Sequence, residues 1–501
     1  MDKKWWTLLA VCVGTFMLLL DVTIVVVALP DIQRALNAGF SDVQWVVDAY
    51  ALALASCLLT TGVLADRYGR RRLFAIGLVV FTAGSLLCGL AQSPLMLILS
   101  RAGQGVGGAI MFATSLALLG ESFRGKDRGV AFGVWGAITG IAVSLGPILG
   151  GVITTGISWR GIFLVNVPIG VLALGVTLWK LDESRAPHPG RLDLPGFALL
   201  TGGLVGLVYG LIRAGESSWG DDGALVALTA GGVLLVAFLL TELLVPNPMF
   251  DLALFRKPTF VGGLCAAFAM NGSLFAMLLY LVLYLQNVLG YSALGTGTRL
   301  LVSSGAMLVA ATIAGRLSER VSARWLIGPG LLAVGIGLLL MGGLGATSSW
   351  THLIPGFIVS GLGAGFVNPP LASTAIGVVE PARAGMASGI NSTFRQVGLA
   401  TSIAALGSIF TTSLRNNLTN ALAHTPAAGY TDQVINAVRE GQSGGTSNVV
   451  PPALRPELQQ AISTSFTGAL NNLLTVTAVL ALAGAVLSAA LIRDKDFAAR
   501  Q

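Results

Sequence analysis

The chain has 501 residues, 54% of them hydrophobic and only 11% charged, with a mean hydropathy of +0.80. A soluble globular protein carries about 25% charged residues, so this supply cannot build a water-exposed surface. The net charge of +7 would suit nucleic acid, but charges confined to short clusters between apolar runs read as loops that orient a protein in a membrane.

Taken in chain order, the apolar runs predict helices near 7–29, 44–64, 73–92, 95–120, 130–155, 161–180, 196–213, 223–244, 260–285, 294–315, 325–345, 351–377, 385–412 and 467–492. Crossing a bilayer takes roughly 20 apolar residues. A helix satisfies its own backbone there, which makes an all-α polytopic membrane protein the expected class. The start, Met1-Asp-Lys-Lys, resembles a signal peptide. The apolar segment behind it contains Asp21 and reaches Pro30 without a small-x-small cleavage site, so it reads as a retained first helix. The 65 glycines suit close helix packing. Cys12, Cys57, Cys88 and Cys265 all fall in apolar runs without metal spacing, which argues against a disulfide framework.

Placing both termini in the cytoplasm assigns about 21 of the 30 Lys and Arg residues to inside segments and about 6 to outside segments. The inside clusters include Arg67, Arg70, Arg71 and Arg72, and later Arg316, Arg320 and Arg324. Arg101, Arg299 and Arg395 fall within helices or at their ends. The expected location is the cell membrane, crossed about fourteen times.

The chain also holds a weak copy of itself. Gly62-Val-Leu-Ala-Asp66-Arg67 aligns with Gly315-Arg-Leu-Ser-Glu319-Arg320. Further on, Gly105 aligns with Gly361, Gly107 with Gly363, and Ala131 with Ala387. The offset exceeds one six-helix unit, which predicts a six-helix bundle over 1–190, two inserted helices over 191–255 and a second bundle over 256–501. Paired halves around a central site are the architecture of alternating-access carriers. The polar segment 413–464, with Pro426, Pro451, Pro452 and Pro456, reads as a long outside loop. Thr431–Glu440 and Pro456–Ser465 within it could form short helices.

Several motifs carry a family resemblance. Leu20-Asp21-Val-Thr23-Ile-Val-Val-Val-Ala28-Leu29-Pro30 resembles a first-helix motif, LDxTIVNVALP, with Val26 in place of Asn. Gly62-Val-Leu-Ala-Asp66-Arg67-Tyr-Gly69-Arg70-Arg71-Arg72 matches a loop motif after helix 2, and Arg101-Ala-Gly-Gln104-Gly105-Val-Gly107 a helix-4 motif. Gly146-Pro147 with Gly150-Gly151 resembles a helix-5 antiporter motif. Trp159-Arg160-Gly-Ile-Phe163-Leu-Val-Asn166-Val-Pro168-Ile-Gly170 resembles a signature of fourteen-helix members. The chain is thus similar to the major facilitator superfamily, in its fourteen-helix drug:proton antiporter branch of QacA-like and EmrB-like exporters. The resemblance implies two six-helix bundles plus two inserted helices and proton-coupled export of lipophilic, cationic drugs, dyes or antiseptics. It also implies a chain that works as a monomer among membrane lipids, with no cofactor and no nucleic-acid partner.

Asp21 and Asp48 lie well inside apolar segments, where a charge costs roughly 2.5–3.5 kcal/mol on insertion scales. One reading is proton exchange and binding of a substrate cation; the other is a structural pair with Arg101, weighed more heavily for Asp48 than for Asp21. The segment Trp45-Val-Val-Asp48-Ala-Tyr50 resembles QacA-like members, in which an acid here accompanies cationic substrates. Arg101 either holds a neighbouring carboxylate ionised or binds backbone carbonyls near a kink. The resemblance implies a latch formed by Asp66, Arg67, Gly69 and Arg70, with Asp66 meeting the helix start at 384–388. Gly146, Pro147, Gly150 and Gly151 suit a packing hinge, expected against helix 10. Tyr50, Trp135, Phe275, Met277, Tyr280 and Tyr284 suit either a pocket for planar cations or a packed core.

Other chemistry finds little support. Gly103-Gln-Gly105-Val-Gly107-Gly108 fits GxGxxG formally, but it lies in an apolar helix after no strand. No GxxxxGK[ST] is present, and His188, His352 and His424 are scattered. The competing functions are a dedicated exporter of one self-made metabolite and the inner subunit of a tripartite pump. An intramembrane enzyme would need a catalytic cluster that the sequence does not contain.

Overall fold

Runs this apolar close their own backbone hydrogen bonds, and in the computed structural model they do so as helices throughout. Residues 2–123, 125–185, 193–245, 248, 250–318, 320–379, 384–423, 425, 426, 428 and 454–497 are described. Among them are 14 helices long and apolar enough to cross a membrane. We number them α1 (Lys3–Leu36), α2 (Phe40–Tyr68), α3 (Arg70–Gly89), α4 (Pro94–Ser122), α5 (Gly125–Gly156), α6 (Gly161–Lys180) and α7 (Leu194–Glu216). The rest are α8 (Asp222–Leu244), α9 (Pro258–Val288), α10 (Ala293–Leu317), α11 (Ala323–Leu340), α12 (Ile354–Gly377), α13 (Ala384–Leu422) and α14 (Arg455–Leu491).

Local signals set the boundaries. The side chains of Ser93, Asp193, Asp221 and Ser292 each accept a backbone N–H in the first turn of α4, α7, α8 and α10. Asn37 ends α1 in the left-handed conformation, at φ 50°. α9 carries two π-helical stretches, Asn271–Phe275 and Tyr284–Val288.

Helices α1–α6 pack on one another, as do α9–α14. The glycines of the internal repeat do matching work in each group. A Cβ on Gly105 would lie 2.6 Å from the Tyr50 carbonyl, and one on Gly107 would strike Phe81, so α4 lies flush against α2 and α3. Gly361 and Gly363 give α12 the same close approach to α10, at Ser303, and to α11, at Gly330 and Val334. The hairpin α7–α8 packs through Gly203, Gly210 and Gly231. α7 also lies across α2 and α13, with Tyr209 6.5 Å from Trp45 and Gly215 against Ser408.

The two groups meet along two seams, α2 against α13 and α5 against α10. At the end of the molecule remote from the termini both are shut. Gly151 abuts Ala293 and Leu294, Gly297 abuts Pro147, and Gln44 Nε2 donates to the Ile403 carbonyl at 2.9 Å. Gln286 Nε2 adds a 2.7 Å bond to the Val27 carbonyl.

The segment 413–464 departs from the expected loop. α13 runs on to Leu422, and α14 begins at Arg455, taking in 456–465 as its own first turns rather than a separate short helix. Leu422 and Leu458 pack together, and Asn417 Nδ2 donates to the Ser465 carbonyl at 3.3 Å. These contacts give polar turns a reason to stay helical beyond the apolar span. Residues 431–440 lie outside the described residues.

Candidate functional site

Five of the first six helices converge on one buried carboxylate. Asp21 on α1 is fully buried. Its Oδ2 accepts from Arg101 Nη1 of α4 at 2.5 Å, and its Oδ1 accepts from Gln104 Nε2 at 2.8 Å and Asn166 Nδ2 of α6 at 3.3 Å. Gln104 and Asn166 also donate to Ser85 Oγ of α3, at 2.7 and 3.4 Å. Arg101 is 1% exposed. It donates from Nη1 to Gln104 Oε1 at 2.6 Å and from Nε to the Val46 carbonyl of α2 at 3.1 Å. Its guanidinium stacks 4.2 Å from the Tyr50 ring centre and 5.8 Å from that of Phe163.

This arrangement reassigns the charges. The arginine's carboxylate partner is Asp21, where the sequence favoured Asp48 for such a pair. Both readings of Arg101, carboxylate partner and carbonyl donor, coexist. Tyr50 is buried as the platform beneath Arg101. Gln104, Ser85 and Asn166 were not anticipated as site residues. Gln104 and Asn166 stand in the quoted motifs, and Gln104 follows Arg101 by three residues, on the same helix face. Ser85 carries no sequence signal.

Asp48 is different. It is fully buried on α2, and neither carboxylate oxygen has a hydrogen-bond partner among the described residues. Across the α2/α13 seam, Tyr280 of α9 donates to the Ile403 carbonyl at 2.7 Å, the same carbonyl that receives Gln44. Tyr280, Tyr284 and Met277 are fully buried in a packed core and Phe275 partly so. Trp135 donates to Thr15 Oγ1 at 3.0 Å and lies 6.2 Å from Phe112.

At the α2–α3 turn, Asp66 Oδ1 accepts from Arg70 Nε and Nη2 at 3.0 and 2.9 Å, and Arg70 also reaches Glu121 at 3.5 Å. Arg67 leans over the Tyr68 ring. Gly69 takes φ +115°, a conformation that favours glycine, and a Cβ there would strike the Glu183 carboxylate. Glu183 accepts the N–H groups of Arg71 and Arg72, both at 3.1 Å, and so satisfies the start of α3. Residues 380–383, which lead into α13, lie outside the described residues, as do His188 and His424.

The glycines of α5 divide between two neighbours. A Cβ on Gly146 would strike Thr23, and one on Gly150 would lie 2.7 Å from the Ile24 carbonyl, so both face α1. Gly151 faces α10, and Gly297 of α10 approaches the Pro147 carbonyl. This stretch therefore touches both bundles, whereas the sequence placed all of it against helix 10.

A family model described as Major Facilitator Superfamily matches residues 11–403. A multidrug resistance protein, Stp, from Mycobacterium tuberculosis is 38% identical over 404 residues, 80% of this chain and 75% of that protein. A puromycin resistance protein from Streptomyces alboniger is 38% identical over 82% of each chain. A tetracenomycin C resistance and export protein from Streptomyces glaucescens is 33% identical over 97% of this chain and 91% of its own. Among solved structures, a bacterial homolog of the human lysosomal transporter Spinster superposes with a TM-score of 0.67 at 18% identity. The match covers 98% of this chain and 97% of that one and shows a shared fold.

Proposed function

Because this chain belongs to the Major Facilitator Superfamily and its relatives are named multidrug and antibiotic exporters, we propose that it expels lipophilic cations from the cytoplasm in exchange for protons, by alternating access. The observation that carries the proposal is the pair of buried carboxylates in unlike settings. Asp21 is held by Arg101, Gln104 and Asn166, and Asp48 stands at the seam without a hydrogen-bond partner among the described residues. A carboxylate beside a fixed cation exchanges a proton when that pairing loosens. A carboxylate with no protein partner favours an incoming cation or a proton.

The termini-bearing end is assigned to the cytoplasm, and the shut end to the outside. When the shut end opens, the proposal brings Asp66 to the start of α13. α5 slides on α1 at Gly146 and Gly150 and on α10 at Gly151, positions with no side chain to resist it.

Relatives named for a single compound, puromycin and tetracenomycin C, favour a second reading, a dedicated exporter of one compound. Purified protein in liposomes separates the two. With an imposed proton gradient, the first reading expects uptake of several unrelated lipophilic cations and little uptake of neutral analogues. Uptake of one compound alone supports the second, and uptake indifferent to the gradient defeats proton coupling.

A further inference from the structure

At the end remote from the termini, α7 meets α13 at Gly215, where a Cβ would lie 2.7 Å from the Ser408 Cα. Beside that contact lies a cavity of about 190 Å³, room for about six waters at ~30 Å³ each. Its walls include Glu216, Ser217 and Trp219 from the end of α7 and the turn after it. Thr412, Arg415 and Asn416 of α13 line the other side.

The cavity lies where the apolar surface of the hairpin ends. α7 stops at Glu216 and α8 begins at Asp222. Between them Trp219 is half exposed, and Leu225 and Val226 in the first turns of α8 are 47% and 68% exposed. Bare apolar side chains on a spanning helix face acyl chains, and tryptophan is enriched at the level of the lipid headgroups. The cavity therefore borders the headgroup region of the leaflet remote from the termini.

Its two charges are opposite in sign and unused. Glu216 is partly buried and Arg415 exposed, and neither side chain forms an ion pair or a hydrogen bond among the described residues. The nearby Arg213 is already engaged, with Asp221 at 2.7 Å, and Asp221 also accepts the Ala224 N–H at the start of α8. Thr411, another wall residue, and Thr412 give their hydroxyl protons to the Gly407 and Ser408 carbonyls of their own helix. Their oxygens keep lone pairs for an outside donor. A purely anionic ligand would suit Arg415 and be repelled by Glu216, and a purely cationic one the reverse. A small group that carries a phosphate and an ammonium suits both.

We infer that this cavity binds the phosphoethanolamine headgroup of a membrane phospholipid. The phosphate sits on Arg415 and Asn416, and the ammonium on Glu216 and the two threonine hydroxyls. The acyl chains run along the lipid-facing flank of the α7–α8 hairpin, so one lipid ties the end of that hairpin to α13. The inference does not depend on what the carrier exports.

The test uses the full chain, delipidated in detergent and titrated with phosphatidylethanolamine, phosphatidylglycerol or phosphatidylcholine of identical acyl chains. Native mass spectrometry reads the bound lipid. Wild-type protein should retain phosphatidylethanolamine about fivefold better than phosphatidylglycerol, the scale of one exposed ion pair. Glu216→Gln should erase that preference while leaving phosphatidylglycerol within about twofold. Arg415→Gln should weaken all three lipids by a similar factor, since all three carry the phosphate.

Equal retention of all three lipids by wild-type protein overturns the inference. So does a preference that survives Glu216→Gln, or retention indifferent to Arg415→Gln. Phosphatidylcholine held as well as phosphatidylethanolamine would put the cation over Trp219 and remove Glu216 from the site. The lipid-free Tm should be the same in both variants as in wild type; a fall would make the two side chains braces of the fold. Free O-phosphoethanolamine should compete only at concentrations at least about a hundredfold above the lipid's, because it lacks the chains that bury apolar surface. Competition at equal concentration would assign the site to a soluble ligand and overturn the lipid.

Discussion

Asp21 and Asp48 sit on neighbouring helices of one bundle, yet their surroundings could hardly differ more. Asp21 is saturated by donors from α4 and α6, all within its own bundle. Asp48 has no hydrogen-bond partner among the described residues and looks across a seam towards α9 and α13 of the other bundle. Groups inside one bundle keep their neighbours when the bundles rock, so their polar network can be completed once. A group on the seam changes neighbours with each state. Its missing partner is then whatever the cycle delivers, a proton or a cargo charge. On the proposed mechanism, the complete network would be the coupling device and the incomplete one the cargo site.

Asp21→Asn should break the comparison most severely. The amide keeps the shape but neither the exchangeable proton nor the charge that neutralises Arg101, so Tm should fall as well, and the folded protein should still bind dye while gradient-driven export of every substrate disappears. Full gradient-driven transport by the purified mutant would remove Asp21 from the coupling role. Arg101→Met should come next, in stability rather than transport. Deleting one member of a buried ion pair strands the other at a cost of about 3–5 kcal/mol, read as a large fall in Tm. An unchanged Tm would show that the network contributes little to holding α1, α2 and α4 together.

Asp48→Asn sharpens the contrast. No protein partner is lost, so Tm should hold or rise. Transport of divalent cations should fall about tenfold and that of monovalent ones about twofold, because each charge moved against 100 mV costs about 2.3 kcal/mol and a dication needs more proton exchange. Equal losses for both classes would point to a general structural role.

The smallest effect belongs to Asp66→Asn. An acid at a helix start is worth roughly 0.3–1 kcal/mol, enough to tilt a two-state equilibrium several-fold without forming a substrate site. Turnover should therefore drop several-fold while dye affinity in detergent stays constant. An outward-open structure with Asp66 remote from 384–388, or a mutant with normal turnover, would end the latch assignment.

Much of this was legible in the chain itself. Hydropathy alone marks fourteen spans, because a bilayer leaves a backbone few alternatives to a helix. The repeated glycines predicted matching bundles, because a missing side chain at a helix crossing is a property of sequence. Asp21, Asp48 and Arg101 stood out as charges in apolar runs. The pairing among them was not legible. Tyr50 stacks on Arg101 and therefore faces into its own bundle, and Asp48, two residues earlier, points about 200° away around α2. That rotation, fixed by the close approach of α4 at Gly105, hands Arg101 to Asp21 and turns Asp48 towards the other bundle. Sequence determines which residues carry charge and how far each lies along its helix; the rotation of each helix about its own axis, set by packing against neighbours remote in the chain, decides which charges meet.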